Sequence, residues 1–162
     1  MAEEMIGGVL TQIANNGSNV AQAIGRLIEV LSAQGTIAAT GAVTSSSPTA
    51  GIGYATGAGG TVTQATSKST GVTINKVCGQ ITMNNAALAS GASVTFTVTN
   101  SACTTLTMAR TDHVSAGTAG AYRAQGGNYA TGSFGITVTN NSGGSLSEAI
   151  VIGFALERYT TT

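Results

Sequence analysis

The sequence predicts a mainly β protein: an antiparallel β-sandwich or jelly-roll domain that follows an N-terminal helical, coiled-coil-like arm and a Gly/Ser/Thr-rich linker. Three observations lead to this prediction. Residues 61–162 alternate apolar and polar side chains with period two, which is typical of half-buried antiparallel strands. Residues 1–34 carry an apolar stripe at coiled-coil spacing. Residues 35–60 show no clear period and are rich in small residues.

The apolar stripe of the arm advances in alternating steps of four and three residues, the a/d pattern of a coiled coil. Its members are Ile6, Leu10, Ile13, Val20, Ile24, Leu27 and Leu31. Gly17 interrupts it, and glycine destabilises a helix interior by about 1 kcal/mol relative to alanine. We therefore expect helices near residues 3–14 and 19–34, with Gly35 just past the second one.

One helix cannot bury such a stripe alone, and the rest of the chain has strand patterning. The stripe therefore predicts a homo-oligomer held together by bundled arms. Two alternatives remain open at this stage. The arm can fold back onto its own β-domain, or it can dock on a different protein.

The linker, residues 35–60, contains the only proline of the chain, Pro48, and many glycines. Its spaced apolar residues, which could hold it along a surface, are Ile37, Val43, Ile52 and Tyr54. A stretch of about 25 residues without periodicity is long for the interior of a compact domain. We therefore place the domain boundary here.

The β-domain is expected to contain about eight short strands. The alternating apolar positions expected to face its core are Val72, Ile74, Ile81, Met83, Val94, Phe96, Val98, Leu106, Met108, Phe134, Ile136, Val138, Ile150, Ile152, Phe154 and Leu156. Turns are expected at Asn84–Asn85, Ser90–Gly91, Ala116–Gly117, Gly126–Gly127 and Asn140–Gly144. So many strands in about 100 residues, without a helical stretch, indicate a sandwich or jelly roll.

Charged residues are scarce, at 7% of the chain against roughly 25% in typical soluble domains. The formal net charge is zero, which argues against nucleic acid or an anionic membrane as a partner. A near-neutral surface favours association, so it suits a subunit of an assembly better than a free monomer. The acidic start MAEEMIGG predicts no signal peptide, and no membrane span is expected.

Cys78 and Cys103 are the only cysteines, and His113 is the only histidine. These three residues are too few for a closed zinc site of ordinary composition, so we expect no metal and no cofactor. No C-x-x-C motif is present, which argues against redox catalysis. Two interpretations of the cysteines remain open: two buried free thiols, or a disulfide within or between chains.

The densest charge cluster is Arg110, Asp112 and His113, in which His113 could be a general base oriented by Asp112. Adjacent residues of a strand point in different directions, so a solvated strand end or a contact with a neighbouring subunit is the simpler interpretation. Glu148 and Glu157 lie at opposite ends of the last predicted strand, roughly 30 Å apart at about 3.3 Å per residue. They cannot form the carboxylate pair of a glycosidase, and we expect no enzyme.

Two further patterns give weak signals. The glycine-rich stretches at residues 57–60 and 140–145 lack the Gly-Lys-Ser/Thr ending of a phosphate-binding loop, so turns are expected there. Tyr122 and Tyr129 flank the sequence RAQGGN, and a carbohydrate site would be sought between them. Tyr122–Arg123 is the only close aromatic–basic pairing, which is too little for a nucleic-acid platform.

The segments GGTVTQATSKSTGVTIN (residues 59–75) and GGSLSEA (residues 143–149) resemble a module of tailed-bacteriophage and prophage virion proteins. The resemblance covers roughly residues 53–157. It implies a small β-sandwich of the kind found in capsid decoration proteins, head fibres and tail fibres, often trimeric with a helical N-terminal piece. It implies no activity. The two cysteines and the ARTDH segment depart from the usual pattern.

The resemblance implies a location in the virion, assembled in the host cytoplasm, with other virion proteins such as the major capsid protein as partners. We therefore expect a homotrimeric capsid decoration or cement protein, or a head-fibre protein. The alternative is a tail or neck fibre protein that binds a host-surface receptor through loops at residues 116–129 and 140–145.

Replacing Ile24 and Leu27 with lysine should dissociate the oligomer, because charges at a and d positions cannot be buried between helices. The β-domain should stay folded. Light scattering gives the mass, and circular dichroism reports the strands. An oligomer that survives both substitutions would show that the arm does not hold it together.

Overall fold

The computed structural model describes residues 42, 44–49 and 51–161. The predicted arm, with its seven stripe residues, lies outside the described residues. Within them the chain is mainly β, with eight strands and no helix. The strands are β1 (Gly59–Thr63), β2 (Val72–Thr73), β3 (Cys78–Thr82), β4 (Ser93–Thr99), β5 (Thr107–Ser115), β6 (Tyr122–Ala130), β7 (Ser133–Asn140) and β8 (Val151–Arg158). Gly53–Thr162 forms a compact unit.

The strands form two four-stranded sheets, in the orders β1-β3-β8-β5 and β2-β4-β7-β6. Pairing is antiparallel except for β1 with β3 and β2 with β4, which are parallel. The prediction of wholly antiparallel sheets is therefore wrong at these two pairs. The cause is the path of the chain. Strands β1 to β4 alternate between the two sheets, so β3 runs in the same direction as β1, and β4 runs in the same direction as β2.

One apolar core lies between the sheets. It includes the predicted inward-facing residues of β2, β3, β4, β7 and β8, with Phe96, Phe134, Ile81, Ile136 and Ile152 among the largest fully buried side chains. Phe134 of one sheet and Phe154 of the other pack at 5.6 Å between ring centroids, a favourable tilted arrangement. The period-two pattern is thus confirmed for these strands.

The predicted phase of β5 is wrong. Leu106 is 40% exposed and Met108 is 47% exposed, whereas Thr107 and Ala109 are buried. Thr107 tolerates burial because its hydroxyl accepts the Thr104 backbone N–H at 3.0 Å and lies 3.1 Å from the Thr104 hydroxyl. A polar residue with local partners therefore faces inward, and the apolar residues face outward.

The turn predicted at Gly126–Gly127 is also wrong, because both glycines lie within β6. The chain turns instead at Thr131–Gly132, where Gly132 has a φ of 86°. Gly126 serves a close approach between strands. A Cβ atom there would lie 2.8 Å from the Ala109 carbonyl oxygen of β5, so only glycine fits without rearrangement.

This close approach closes one side of the molecule, where the edge strands β5 and β6 of the two sheets meet. The backbone N–H of Ala109 points away from β8 and donates to the Tyr129 hydroxyl at 3.0 Å. Two further edge donors of β5 are also satisfied: Thr107 N–H donates to the Thr104 carbonyl, and His113 N–H to the Asp112 carboxylate. These contacts leave few free donors for adding another strand at β5.

Tyr129→Phe should lower the free energy of unfolding by about 1–2 kcal/mol, because it leaves the Ala109 N–H without its partner. Tyr122→Phe is the matched control. Its hydroxyl is buried near the Glu148 carboxylate and accepts no backbone N–H, so its removal leaves no backbone donor unpaired and should cost less than Tyr129→Phe. Urea unfolding of both variants measures the difference. Equal losses in the two variants would contradict this assignment of the Tyr129 hydroxyl.

Candidate functional site

A buried lysine joins distant parts of the chain. Lys68, in the loop between β1 and β2, is 4% exposed. Its ammonium donates to the carbonyl oxygens of Asn84 and Glu148, each at 2.6 Å. Burial lowers the pKa of Lys68, and the nearby Glu148 carboxylate opposes that shift. The lysine thereby ties the loop after β1 to the loop after β3 and to the segment before β8.

Gln64 completes this cluster, which we call the lysine clasp (Gln64, Lys68, Asn84 and Glu148). The Gln64 amide nitrogen donates to the carbonyl oxygens of Lys68 at 3.0 Å and Thr70 at 2.9 Å. Its amide oxygen accepts the Asn84 N–H at 3.1 Å. Gln64 and Lys68 belong to GGTVTQATSKSTGVTIN, and Glu148 belongs to GGSLSEA. The clasp therefore joins two segments that lie far apart in the sequence.

A second polar cluster surrounds the turn after β5. Ala116 and Gly117 both have positive φ values, 60° and 69°, which is unfavourable for alanine. The His113 Nε2 atom lies 2.6 Å from the Ala116 carbonyl oxygen and 3.1 Å from the Ser115 carbonyl oxygen. Because both neighbours are acceptors, Nε2 carries the proton and donates. The imidazole thus stabilises the strained turn at Ala116–Gly117, which is where the sequence predicted a turn.

Glu148 holds the same turn from the other side. Its carboxylate accepts the Thr118 backbone N–H at 3.0 Å and the Thr118 hydroxyl at 2.7 Å. These bonds lower the pKa of Glu148. Next to it, burial raises the pKa of Tyr122 to about 12, and the Glu148 carboxylate adds to that shift. The Tyr122 ring packs edge-on against His113 at 5.6 Å.

The predicted Arg110–Asp112–His113 cluster is split by the structure. Asp112 accepts the backbone N–H of His113 at 2.8 Å, while the imidazole turns to the carbonyl oxygens of the next loop. Arg110 instead pairs with Glu157 of β8, at 2.7 Å between Nε and Oε1. No group of three or more potential metal ligands occurs among the described residues. Each acid and base named here already makes a contact within the chain.

The two cysteines are free thiols at separate places. Cys103 is fully buried after β4, and its thiol donates to the Ser133 carbonyl at 3.3 Å. Cys78 is half-buried at the start of β3, on the outer side of its sheet. The expectation of two buried thiols is met by Cys103 and is wrong for Cys78, which is only half-buried. A disulfide within or between chains remains a prediction about oxidised protein.

The outer faces of the two sheets differ in chemistry. The β4–β7 face carries rows of hydroxyls, with Thr95 bonded to Thr137 at 2.8 Å and Ser93 to Thr139 at 2.7 Å. The outer face of the other sheet is mixed: small and apolar side chains lie beside Thr61, Gln80, Asp112 and the Arg110–Glu157 pair. Of the six exposed large hydrophobic residues in the described part, five lie on or beside this second sheet: Tyr54, Leu106, Met108, Val114 and Tyr159. The hydroxyl face suits water, whereas the exposed apolar residues of the second face suit contact with a partner.

The stripe residues proposed to form the oligomer lie outside the described residues. Tyr122 and Tyr129 both lie on β6 but do not frame an open site, because Tyr122 is buried and the Tyr129 hydroxyl binds β5. Sequence reasoning missed the lysine clasp, since one lysine in a Ser/Thr-rich stretch predicts a solvated turn. It also missed the outward row of β5, because the strand was predicted in the opposite phase.

No helix among the described residues has the length and apolar character needed to span a membrane. Comparison of the chain with protein-family models, with curated proteins and with solved structures gave no match.

Lys68→Met should lower the free energy of unfolding by about 2–4 kcal/mol, because two buried carbonyl oxygens lose a charged donor. Lys76→Met is the matched control. Lys76 is exposed, and its ammonium makes one contact, with the Gly57 carbonyl at 3.1 Å. Its replacement should change stability by less than about 0.5 kcal/mol. Urea unfolding compares the two variants, and equal effects would show that the clasp is not a stabilising feature.

Acid should destabilise the protein through Glu148. Its folded-state pKa lies below the ordinary value of 4.5, so the stabilisation is present above that value and is lost as pH falls through the folded-state pKa. Glu148→Gln should flatten the decline in urea midpoint below about pH 4.5. Glu157→Gln is the control, since its exposed ion pair contributes little. If the urea midpoint of Glu148→Gln falls with pH as steeply as that of the unmodified protein, Glu148 is not the origin of the acid sensitivity.

Proposed function

We propose that this chain is a non-enzymatic structural protein of a bacteriophage virion. In this proposal it is a trimeric capsid decoration or cement protein, or a head-fibre protein, whose β-domain is a sandwich of the jelly-roll kind. The helical arms bundle with one another or dock on the major capsid protein. The protein acts in the assembled particle and carries no cofactor.

The observation that carries the proposal is the lysine clasp. The resemblance to virion proteins rests on two segments that lie about 70 residues apart in the sequence, and Lys68 and Glu148 bring them into direct contact. Segments joined by such a contact are expected to belong to one domain, because each segment provides hydrogen-bond partners for buried polar groups of the other. This linkage supports treating the two segments as parts of one module.

The occupied acid and base groups support a structural role. Lys68 binds two carbonyl oxygens, His113 binds two more, and Glu148 binds Thr118. A general base needs a free site within hydrogen-bond reach of its substrate. Here the same groups hold loops in place, as a protein that must resist mechanical and thermal stress requires.

A cement protein stabilises a shell by burying apolar area between subunits, at about 25 cal/mol per Å² before the costs of ordering are subtracted. Met108 and Val114, exposed on the outer face of the β1-β3-β8-β5 sheet, provide apolar area of this kind. The hydroxyl-rich face of the other sheet provides a neutral surface towards solvent. This difference between the two faces supports a subunit with one face buried against a neighbour and the other face exposed to solvent.

The test compares phage particles assembled with and without this chain. Particles that lack it should release DNA at a lower temperature and should break more readily under osmotic shock. Addition of the purified full-length protein should restore both properties, whereas the Ile24→Lys/Leu27→Lys variant should not. Particles that withstand heat and shock equally well without the chain would contradict the cement role.

The alternative, a tail or neck fibre protein that binds a host receptor, has one observation in its favour. Loop 116–120 is fully exposed and lies beside loop 141–149, joined by the Thr118–Glu148 bonds and by Asn141 N–H to the Ala121 carbonyl at 2.8 Å. Two loops fixed together can form a binding tip. Purified protein that adsorbs to host cells, and loses adsorption on changes in loop 116–120, would favour this alternative over the first proposal.

A further inference from the structure

We propose that the outer face of the β1-β3-β8-β5 sheet is a second self-association surface, through which two copies of this chain pack face to face about a two-fold axis. This contact is separate from the predicted bundle of arms. It goes beyond the proposed function, because it does not depend on where in a particle the protein lies.

The proposal starts from the outward row of β5. Its side chains, Met108, Arg110, Asp112 and Val114, are all exposed, while Thr107 and Ala109 point into the core. The bulge between His113 and Ser115 leaves Val114 on the outer side, where it leans over Gly153 of β8. A Cβ atom at Gly153 would lie 2.8 Å from Val114 Cγ1, so the glycine makes room for this side chain.

The row has apolar side chains at both ends and opposite charges at its two inner positions. About Thr111 as centre, apolar Met108 mirrors apolar Val114, and cationic Arg110 mirrors anionic Asp112. Consider a two-fold axis that lies between two facing sheets, runs perpendicular to β5 and passes over Thr111. Each β5 then lies antiparallel over the other, so residue i contacts residue j and j contacts i.

This operation makes both pairs of the β5 row complementary. Arg110 of one copy faces Asp112 of the second copy, and Met108 faces Val114 of the second copy. Within each chain Arg110 uses Nε for Glu157, which leaves its terminal nitrogens as donors towards the other copy. The charge pattern thus favours a second copy of this chain over a uniformly acidic or basic partner.

The neighbouring strand allows the sheets to approach. On β8 the outward residues beside this row are Gly153 and Ala155, which register with Asp112 and Arg110. Together with β5 they line an open groove of about 460 Å³. Under the same two-fold operation Gly153 faces Ala155 of the second copy, so the middle of β8 adds no large side chain between the two sheets.

The area indicates the strength of the contact. Strands of five, five, eight and nine residues, spaced about 4.8 Å apart, give a face on the order of 400 Å². Two such faces bury on the order of 800 Å², which is the size of a weak, transient contact. The contact is therefore expected to be reversible and to depend on protein concentration.

The test uses charge reversal in the full-length chain carrying Ile24→Lys and Leu27→Lys, so that association through the arm is removed. Sedimentation equilibrium over a range of concentrations should show dimers. Arg110→Asp gives a row with two acidic side chains, and Asp112→Arg gives a row with two basic ones. Each variant alone should associate at least about tenfold more weakly, because both symmetric pairs become repulsive.

An equimolar mixture of the two charge-reversal variants should recover the association, since the acidic row of one faces the basic row of the other. Arg123→Asp, on the outer face of the other sheet, is the matched control and should leave association unchanged. The proposal is overturned if the parent chain stays monomeric at high concentration, if neither variant weakens association, or if the mixture does not recover it.

These outcomes are distinct from those for the proposed function. Dimers that form in the arm-disrupted chain and respond to charge as described would support this contact, even where particles proved stable without the protein. Circular dichroism of each variant establishes that its strands are intact. A loss of association caused by unfolding would then be recognised. The Asp112→Arg variant is the decisive one, because it changes the charge of the row and keeps the Arg110–Glu157 pair within the chain.

Discussion

The contacts of Lys68 with the carbonyl oxygens of Asn84 and Glu148 constrain the rest of the described structure. A charged group with so little exposure is stable only when it is well hydrogen-bonded, and here backbone acceptors from two distant segments take two of its three N–H donors. Glu148 in turn holds Thr118, and with His113 it fixes the strained turn after β5. One buried ammonium thus connects the loop after β1 with the turn at the far end of β5.

The alternation of β1 to β4 between the sheets is the second constraint. Crossing the core at each connection places β1 and β2 at the edges of different sheets, with parallel neighbours. The side of the molecule formed by β5 and β6 is built differently. There the backbones come so close that Gly126 is required, and the Tyr129 hydroxyl completes the hydrogen bonding of Ala109. The two sides of the molecule therefore differ in how their edges are protected.

Period-two patterning predicted the number of strands and most of the core, because burial of Phe96, Phe134 and Ile152 outweighs local preferences. The pattern failed at β5, where hydrogen bonds between Thr104 and Thr107 allow threonine to take an inward position. The same failure hid the outward row that begins at Met108. The lysine clasp has no local signal either, since its acceptors are backbone oxygens, and any residue type provides those. Contacts of this kind are visible only once the chain is folded.

The scarcity of charge has a consequence for how the protein responds to its medium. The hydroxyl pairs Thr95–Thr137 and Ser93–Thr139 are short-range contacts between dipoles, which dissolved ions screen little. The apolar core is likewise insensitive to moderate salt. Ionic strength acts mainly on exposed charges, with a screening length of about 8 Å under physiological conditions. The β-domain should therefore fold equally well in dilute and in saline media, while the contact proposed through Arg110 and Asp112 should weaken as salt rises. In that proposal, salt changes the association through this face and leaves the fold of the subunit unaltered.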